Sequence, residues 1–187
     1  MLTHGAGSNS QAPLLVTVAE GFASAGFYVL RFDLPFRQKR RLGPPFPAQA
    51  AEDRNGIKAA IAKMRKIVTG RVFFGGHSYG GRQASMLASE EAETGDGLLL
   101  LSYPLHPPDK PHVQRTAHFP ALHLPCLFVH GTRDPFGTVE ELQNAIQLMP
   151  VQPQLSLIER AGHDLARGKF DVHRSIVQPF QMLLGTA

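Results

Sequence analysis

The 187-residue chain carries one cysteine, Cys126, so no internal disulfide can form. Between Pro125 and Leu127-Phe128-Val129 that thiol reads as a small packed hydrophobe, with a reactive thiol as the alternative. No apolar run approaches the roughly 18 residues of a membrane helix. The start, Met1-Leu2-Thr3-His4-Gly5, lacks the basic and apolar regions of an export signal, so a cytoplasmic protein with no membrane partner is expected. Charge is sparse at 18%, against 43% for the AVILMFWYC set, a globular composition rather than a disordered one. The length suits a single domain, 1–187, with a real core.

Further absences narrow the chemistry. No H-E-x-x-H and no close cysteine pair occurs, so neither metal nor other cofactor is expected. Neither G-x-G-x-x-G nor G-x-x-x-x-G-K-[ST] is present, which argues against a phosphate cradle. The net charge of +4 permits attraction to anions without naming one. Its densest run, Arg37, Lys39, Arg40 and Arg41, reads as a solvated loop face or as an anion-attracting rim. No helix-turn-helix, zinc or aromatic RNA-binding signature supports a nucleic-acid partner.

What is present is Gly76-His77-Ser78-Tyr79-Gly80 directly after Arg71-Val72-Phe73-Phe74-Gly75. A G-x-S-x-G after a short apolar run reads as a nucleophile elbow, in which a strand turns sharply into a helix and the serine hydroxyl is pushed out at the top of the sheet. The motif alone is weak, with about 0.08 chance matches expected from the chain's composition. Its context carries the reading: a short β-rich apolar segment precedes it, and the breaker-free Gln83 to Ala88 follows.

Along the chain, strand-like and helix-like segments alternate, the pattern of a mostly parallel α/β sheet with helices on both faces. Strands are expected at Leu2-Thr3, at Phe27 to Phe32, before the elbow, at Leu98 to Ser102, at Leu127 to Val129 and at Leu155 to Ile158, about six in all. Helices are expected from Pro13 to about Ser24, Ala48 to Ile67, after Ser78 to near Ala92, Thr138 to Leu148 and Lys169 to Leu184, the last with Pro179 as a kink or early turn. Between them lie a Pro- and Arg-rich loop, Leu34 to Pro47, and a long loop, Tyr103 to Leu124, with five prolines and four histidines. Connections of that length are often functional.

A serine hydroxyl needs a base, and the base an acidic partner that fixes its tautomer. In a sheet of this kind these follow in the order Ser, Asp, His at strand ends. Asp134, in His130-Gly131-Thr132-Arg133-Asp134-Pro135, and His163, in Ala161-Gly162-His163-Asp164, stand at those places. Asp134 has a plain turn reading and His163 a plain loop reading; the set of three favours catalysis. The N–H groups of Tyr79 and Ala6 are candidate oxyanion donors. Gly5, Tyr103 and Arg41 complete the set as candidate substrate contacts. His77 is expected to pack beneath the turn, pointing away from substrate. Arg82 is expected to pair with Asp33, a substrate contact being the alternative.

The segments His4-Gly5-Ala6-Gly7, Arg31-Phe32-Asp33-Leu34-Pro35-Phe36, Gly76 to Arg82, Tyr103-Pro104-Leu105-His106-Pro107-Pro108 and Gly131 to Gly137 resemble one family over nearly the whole chain. It is the small, lidless, dienelactone-hydrolase-like α/β-hydrolases related to testis-expressed protein thirty and to the third regulatory subunit of a nuclear acetyltransferase complex. The resemblance implies an α/β-hydrolase sheet without a cap domain and a triad of Ser78, Asp134 and His163. That family usually carries a strand or two before His-Gly, where only three residues stand here, so the expectation is a sheet shortened at its N-terminal edge, with a start placed too late as the alternative. A serine hydrolase acting on a small acyl ester or thioester, anionic if the basic run forms a rim, is the leading expectation; a non-catalytic complex subunit on the same fold is the alternative.

Overall fold

A computed structural model describes residues 1–185. Five parallel strands form one sheet: β1 (Leu2–Thr3), β2 (Phe74–His77), β3 (Leu98–Leu101), β4 (Cys126–Gly131) and β5 (Gln154–Ile158), paired in sequence order. The helices are α1 (Pro13–Ser24), α2 (Pro35–Lys39), α3 (Ala50–Met64), α4 (Tyr79–Glu90), α5 (Val139–Ile146) and α6 (Gln178–Leu183). None is long and apolar enough to cross a membrane among the described residues.

The two-layered cover follows from the side-chain period of a strand. In Leu98-Leu99-Leu100-Leu101 every residue is buried; Leu98 and Leu100 face a core shared with Leu34, Ile57, Ile61, Phe74 and Phe128, whereas Leu99 and Leu101 face Leu15, Val18, Phe22, Ile176 and Phe180. A strand apolar on both sides needs helices on both sides, here α3, α4 and α5 against α1 and α6.

The sheet has five strands rather than six. The segment Phe27 to Phe32 is extended but joins the sheet through a single parallel bridge, Leu2 with Arg31, supported by Leu2 N–Leu30 O at 2.8 Å and Phe32 N–Leu2 O at 3.3 Å. Its partner β1 is two residues long and offers too few backbone groups for a ladder. The strand before the elbow is also displaced. It runs Phe74–His77, through the glycines, because Gly75 and Gly76 sit in register between Leu2-Thr3 and Leu99-Leu100.

The loop Tyr103 to Leu124 is less free than its length suggests. Tyr103 to His106, Phe119 and Leu122 are buried against the α3–α5 side. His118 Nε2 meets Ser85 Oγ at 2.9 Å and His106 Nε2 meets Glu141 at 3.3 Å, so two of its four histidines tether it to α4 and α5. The closing segment splits into a π turn, His173–Val177, and α6. Pro179 has no N–H for the Ser175 carbonyl four residues back, and that oxygen instead accepts from Ser156 Oγ of β5 at 2.6 Å.

Around the β2–α4 turn, backbones approach too closely to admit a side chain. A Cβ at Gly76 would lie 2.2 Å from Thr3 O, and one at Gly80 2.7 Å from His4 O. Gly76→Ala is therefore expected to destabilise by about 3 kcal/mol or more, whereas Gly70→Ala, which would meet nothing within 4 Å, should leave stability unchanged. Urea midpoints of the two variants check the contrast.

Candidate active site

Ser78 sits between β2 and α4 with φ 51° and ψ −116°, outside the regions a non-glycine residue ordinarily occupies. The strain is held by Ser78 N–Leu101 O at 2.8 Å on the sheet side and by Arg82 N–Ser78 O at 2.9 Å on the helix side. The turn projects Oγ to the carboxyl end of the sheet. There His163 Nε2 lies 2.8 Å from Ser78 Oγ, and His163 Nδ1 lies 2.8 and 3.0 Å from the two oxygens of Asp134. The carboxylate accepts only, so Nδ1 carries the proton and Nε2 is left to accept from the serine hydroxyl.

Each partner is fixed from behind. Asp134 is buried just past β4, and its Oδ1 also accepts from Phe136 N at 2.9 Å. Phe136 stacks on the His163 ring with centroids 4.0 Å apart. His77 Nε2–H donates to the His163 carbonyl at 2.7 Å, and burial holds the His77 pKa down at about 4. His77 therefore does hydrogen-bond next to the turn, and it borders the cleft.

The side of the cleft where oxyanion donors are expected is built from the β1 end. His4 is wholly buried; its Nε2 accepts from Leu34 N at 3.1 Å, which leaves Nδ1–H to donate to Gly5 O at 2.9 Å, and burial lowers its pKa. Ser8 N–Gly5 O at 3.2 Å closes the turn that displays Ala6. Tyr79 opens α4, where a backbone N–H has no partner within the helix. Its phenol donates to buried Asp53 at 2.7 Å, which also accepts from Phe36 N at 3.0 Å. Gly5, Ala6, Ser78, Tyr79 and His163 all border one cleft of about 750 Å³, whose other walls include Pro44 to Pro47, Met86, Pro104 and Phe136.

Three expected contacts change. Tyr103 does not reach the cleft: it is fully buried beneath it, packed on Phe119 and Phe128, with its hydroxyl donating to Arg115 O at 2.6 Å. A large ring directly after the apolar β3 is drawn into the core. Arg41 is exposed and absent from the cleft wall, because the chain turns outward after α2. Arg82 does not pair with Asp33, whose Oδ1 accepts from Ser10 N at 2.6 Å and faces His4 at 3.6 Å; Arg82 lines the cleft instead.

Nor is the basic run one face. Arg37 is buried, and its guanidinium donates to the carbonyls of Ser8 and Ala6, both at 2.8 Å, and to those of Gly43 at 3.0 Å and Arg40 at 3.1 Å. It ties the turn carrying Ala6 to the loop after α2. Lys39 pairs with Glu52 at the surface. Only the charge-poor surroundings of Arg37 in Leu34-Pro35-Phe36-Arg37 hinted at this, and a basic run hides one member that differs.

The model of the family described as "Alpha/beta hydrolase domain" matches residues 1–175. Solved structures share the architecture. Est1E from Butyrivibrio proteoclasticus, solved with ferulic acid bound, is 17% identical with a TM-score of 0.74, covering 99% of this chain and 87% of that one. XC6422 from Xanthomonas campestris, described as an α/β serine hydrolase without lid, is 14% identical with a TM-score of 0.73, covering 97% and 81%. A monoacylglycerol lipase from Paleococcus ferrophilus is 17% identical with a TM-score of 0.73, covering 100% and 93%.

Arg37→Met removes four charge-assisted bonds to loop carbonyls and is expected to cost about 3 kcal/mol. Arg41→Met should change stability by less than about 0.5 kcal/mol. Equal denaturation midpoints for the two variants would show Arg37 to be as dispensable as its exposed neighbour.

Proposed function

Because the chain belongs to the alpha/beta hydrolase domain family, we propose that it is a serine hydrolase cleaving a small acyl ester or thioester. The observation that carries this is the continuous chain from Ser78 Oγ through His163 to Asp134, with both links at 2.8 Å. A complex subunit with no chemistry to perform has no need of a serine held at φ 51° against an oriented imidazole. Within the family we place it with the small lidless members related to testis-expressed protein thirty, on the sequence blocks quoted above.

In the reaction, Ser78 Oγ attacks the acyl carbon while His163 Nε2 takes the hydroxyl proton. Asp134 keeps Nδ1 protonated and stabilises the imidazolium. The developing oxyanion is met by the N–H groups of Ala6 and Tyr79, backbone donors held by the fold. His163 then protonates the leaving oxygen or sulfur, and the acyl-serine is hydrolysed by a water that the same histidine deprotonates. The cleft admits a small acyl compound: its mouth is walled by Pro44, Pro45, Phe46 and Pro47, with no separate domain covering it among the described residues.

A fluorophosphonate probe should label the protein at Ser78, and Ser78→Ala should abolish labelling while the circular dichroism spectrum stays that of the parent. Undiminished labelling of Ser78→Ala would end the assignment. With p-nitrophenyl esters of increasing chain length, Asp134→Asn should lower kcat by about 10⁴, since the wrong histidine tautomer would face the serine. A loss of less than about tenfold would move the acid role to another carboxylate, with Asp164 the next to change.

A further inference from the structure

Arg82 and Gln83 follow Ser78 by one turn of α4, and both line the cleft together with Arg115. Arg82 Nε and Gln83 Nε2 are buried and have no hydrogen-bond acceptor. The Gln83 amide cannot be turned to cure this, because its Oε1 already accepts from Arg54 Nη1 at 3.1 Å. Arg115 donates Nη1 to Pro104 O at 3.3 Å. Burial, and then the neighbouring Arg82 charge, lower the Arg115 pKa. Among the described residues neither arginine forms an ion pair with a carboxylate; the acidic partners nearby belong to Arg54 and Lys58.

One wall of the cleft thus holds two cations, with no carboxylate paired to either among the described residues, and beside them two buried donors without acceptors. A buried donor without a partner is costly, and two guanidinium groups in each other's field add to that. A ligand bringing negatively charged oxygen relieves both. Guanidinium edges present paired N–H groups that match the two oxygens of a carboxylate. Tyr103 stiffens the arrangement from below, since its buried hydroxyl donates to Arg115 O and contacts Arg82.

We propose that Arg82 and Arg115, with wholly buried Gln83 behind them, form a carboxylate subsite in the catalytic cleft, and that the substrate is an acyl compound bearing a carboxylate away from the bond that is cut. The assignment rests on the serine-hydrolase reading of the same cleft, and the test separates the two. It also moves the source of anion preference from the loop after α2, where Arg41 faces solvent, to the wall beside the nucleophile.

The binding arm uses Ser78→Ala protein, titrated by calorimetry with monomethyl succinate and with its neutral counterpart dimethyl succinate. The anion should bind at least about tenfold more tightly, the worth of one charged hydrogen bond, and the advantage should shrink in about 0.5 M salt. Adding Arg82→Gln or Arg115→Gln should remove it, whereas adding Arg41→Ser should not; thermal melts confirm that each variant is folded. The kinetic arm compares kcat/KM of the otherwise unsubstituted protein for p-nitrophenyl hemisuccinate and p-nitrophenyl butyrate, with the hemisuccinate preferred. Equal binding of the two succinates, or a preference that survives both glutamine variants, overturns the subsite. Equal turnover of both esters overturns the subsite and leaves the hydrolase. Turnover of neither, with anion binding intact, overturns the hydrolase and leaves the subsite.

Discussion

The carbonyl oxygens of Thr3 and His4 run so close to Gly76 and Gly80 that a single methyl group would not fit between the two chains. That backbone contact brings the end of β1 against the β2–α4 turn. It sets the distance between the turn displaying Ala6 and the hydroxyl of Ser78, which come from residues some seventy positions apart. The glycines are required by the closeness of approach as well as by the sharpness of the turn. The remaining members of the site are placed by the same sheet, since Asp134 and His163 stand just beyond β4 and β5, the next strands across from β3.

Around that frame the buried polar side chains fall into two groups. His4, Asp53, Arg37 and Asp134 are satisfied by backbone or by each other, and each fixes a loop that borders the cleft. Arg82 and Gln83 retain buried nitrogens without acceptors although they lie on a regular helix with acceptors elsewhere in reach of the chain. Ser102 Oγ and His130 Nδ1, buried away from the cleft, are likewise without a partner, so an unpartnered buried atom alone does not mark the cleft wall.

That Ser78, Asp134 and His163 come together was legible in the sequence because their positions are tied to local grammar: a glycine-framed serine after an apolar run, and two polar residues after predicted strand ends. The parallel sheet and its helices were legible for the same reason, since strand and helix periods differ over a few residues. What depended on distant partners was not. Tyr103 reads as a loop aromatic until Phe119 and Phe128 are seen to enclose it, and Arg37 reads like Arg41 until four carbonyls converge on it. The Phe27 to Phe32 segment has strand composition, and only the two-residue length of its partner explains why it forms one bridge.

The Arg37 guanidinium grips the carbonyls of Ala6 and Ser8 with one part of its fork and those of Arg40 and Gly43 with another. The turn that displays Ala6 and the loop leading to Pro44 and Pro45 are therefore tied together through one side chain. Outward movement of Pro44 and Pro45 would pull on the Ala6 turn as well. On the hydrolase reading proposed above, bulk at that wall would then be penalised in turnover more than in binding, although the bulky group itself never approaches the reacting carbon.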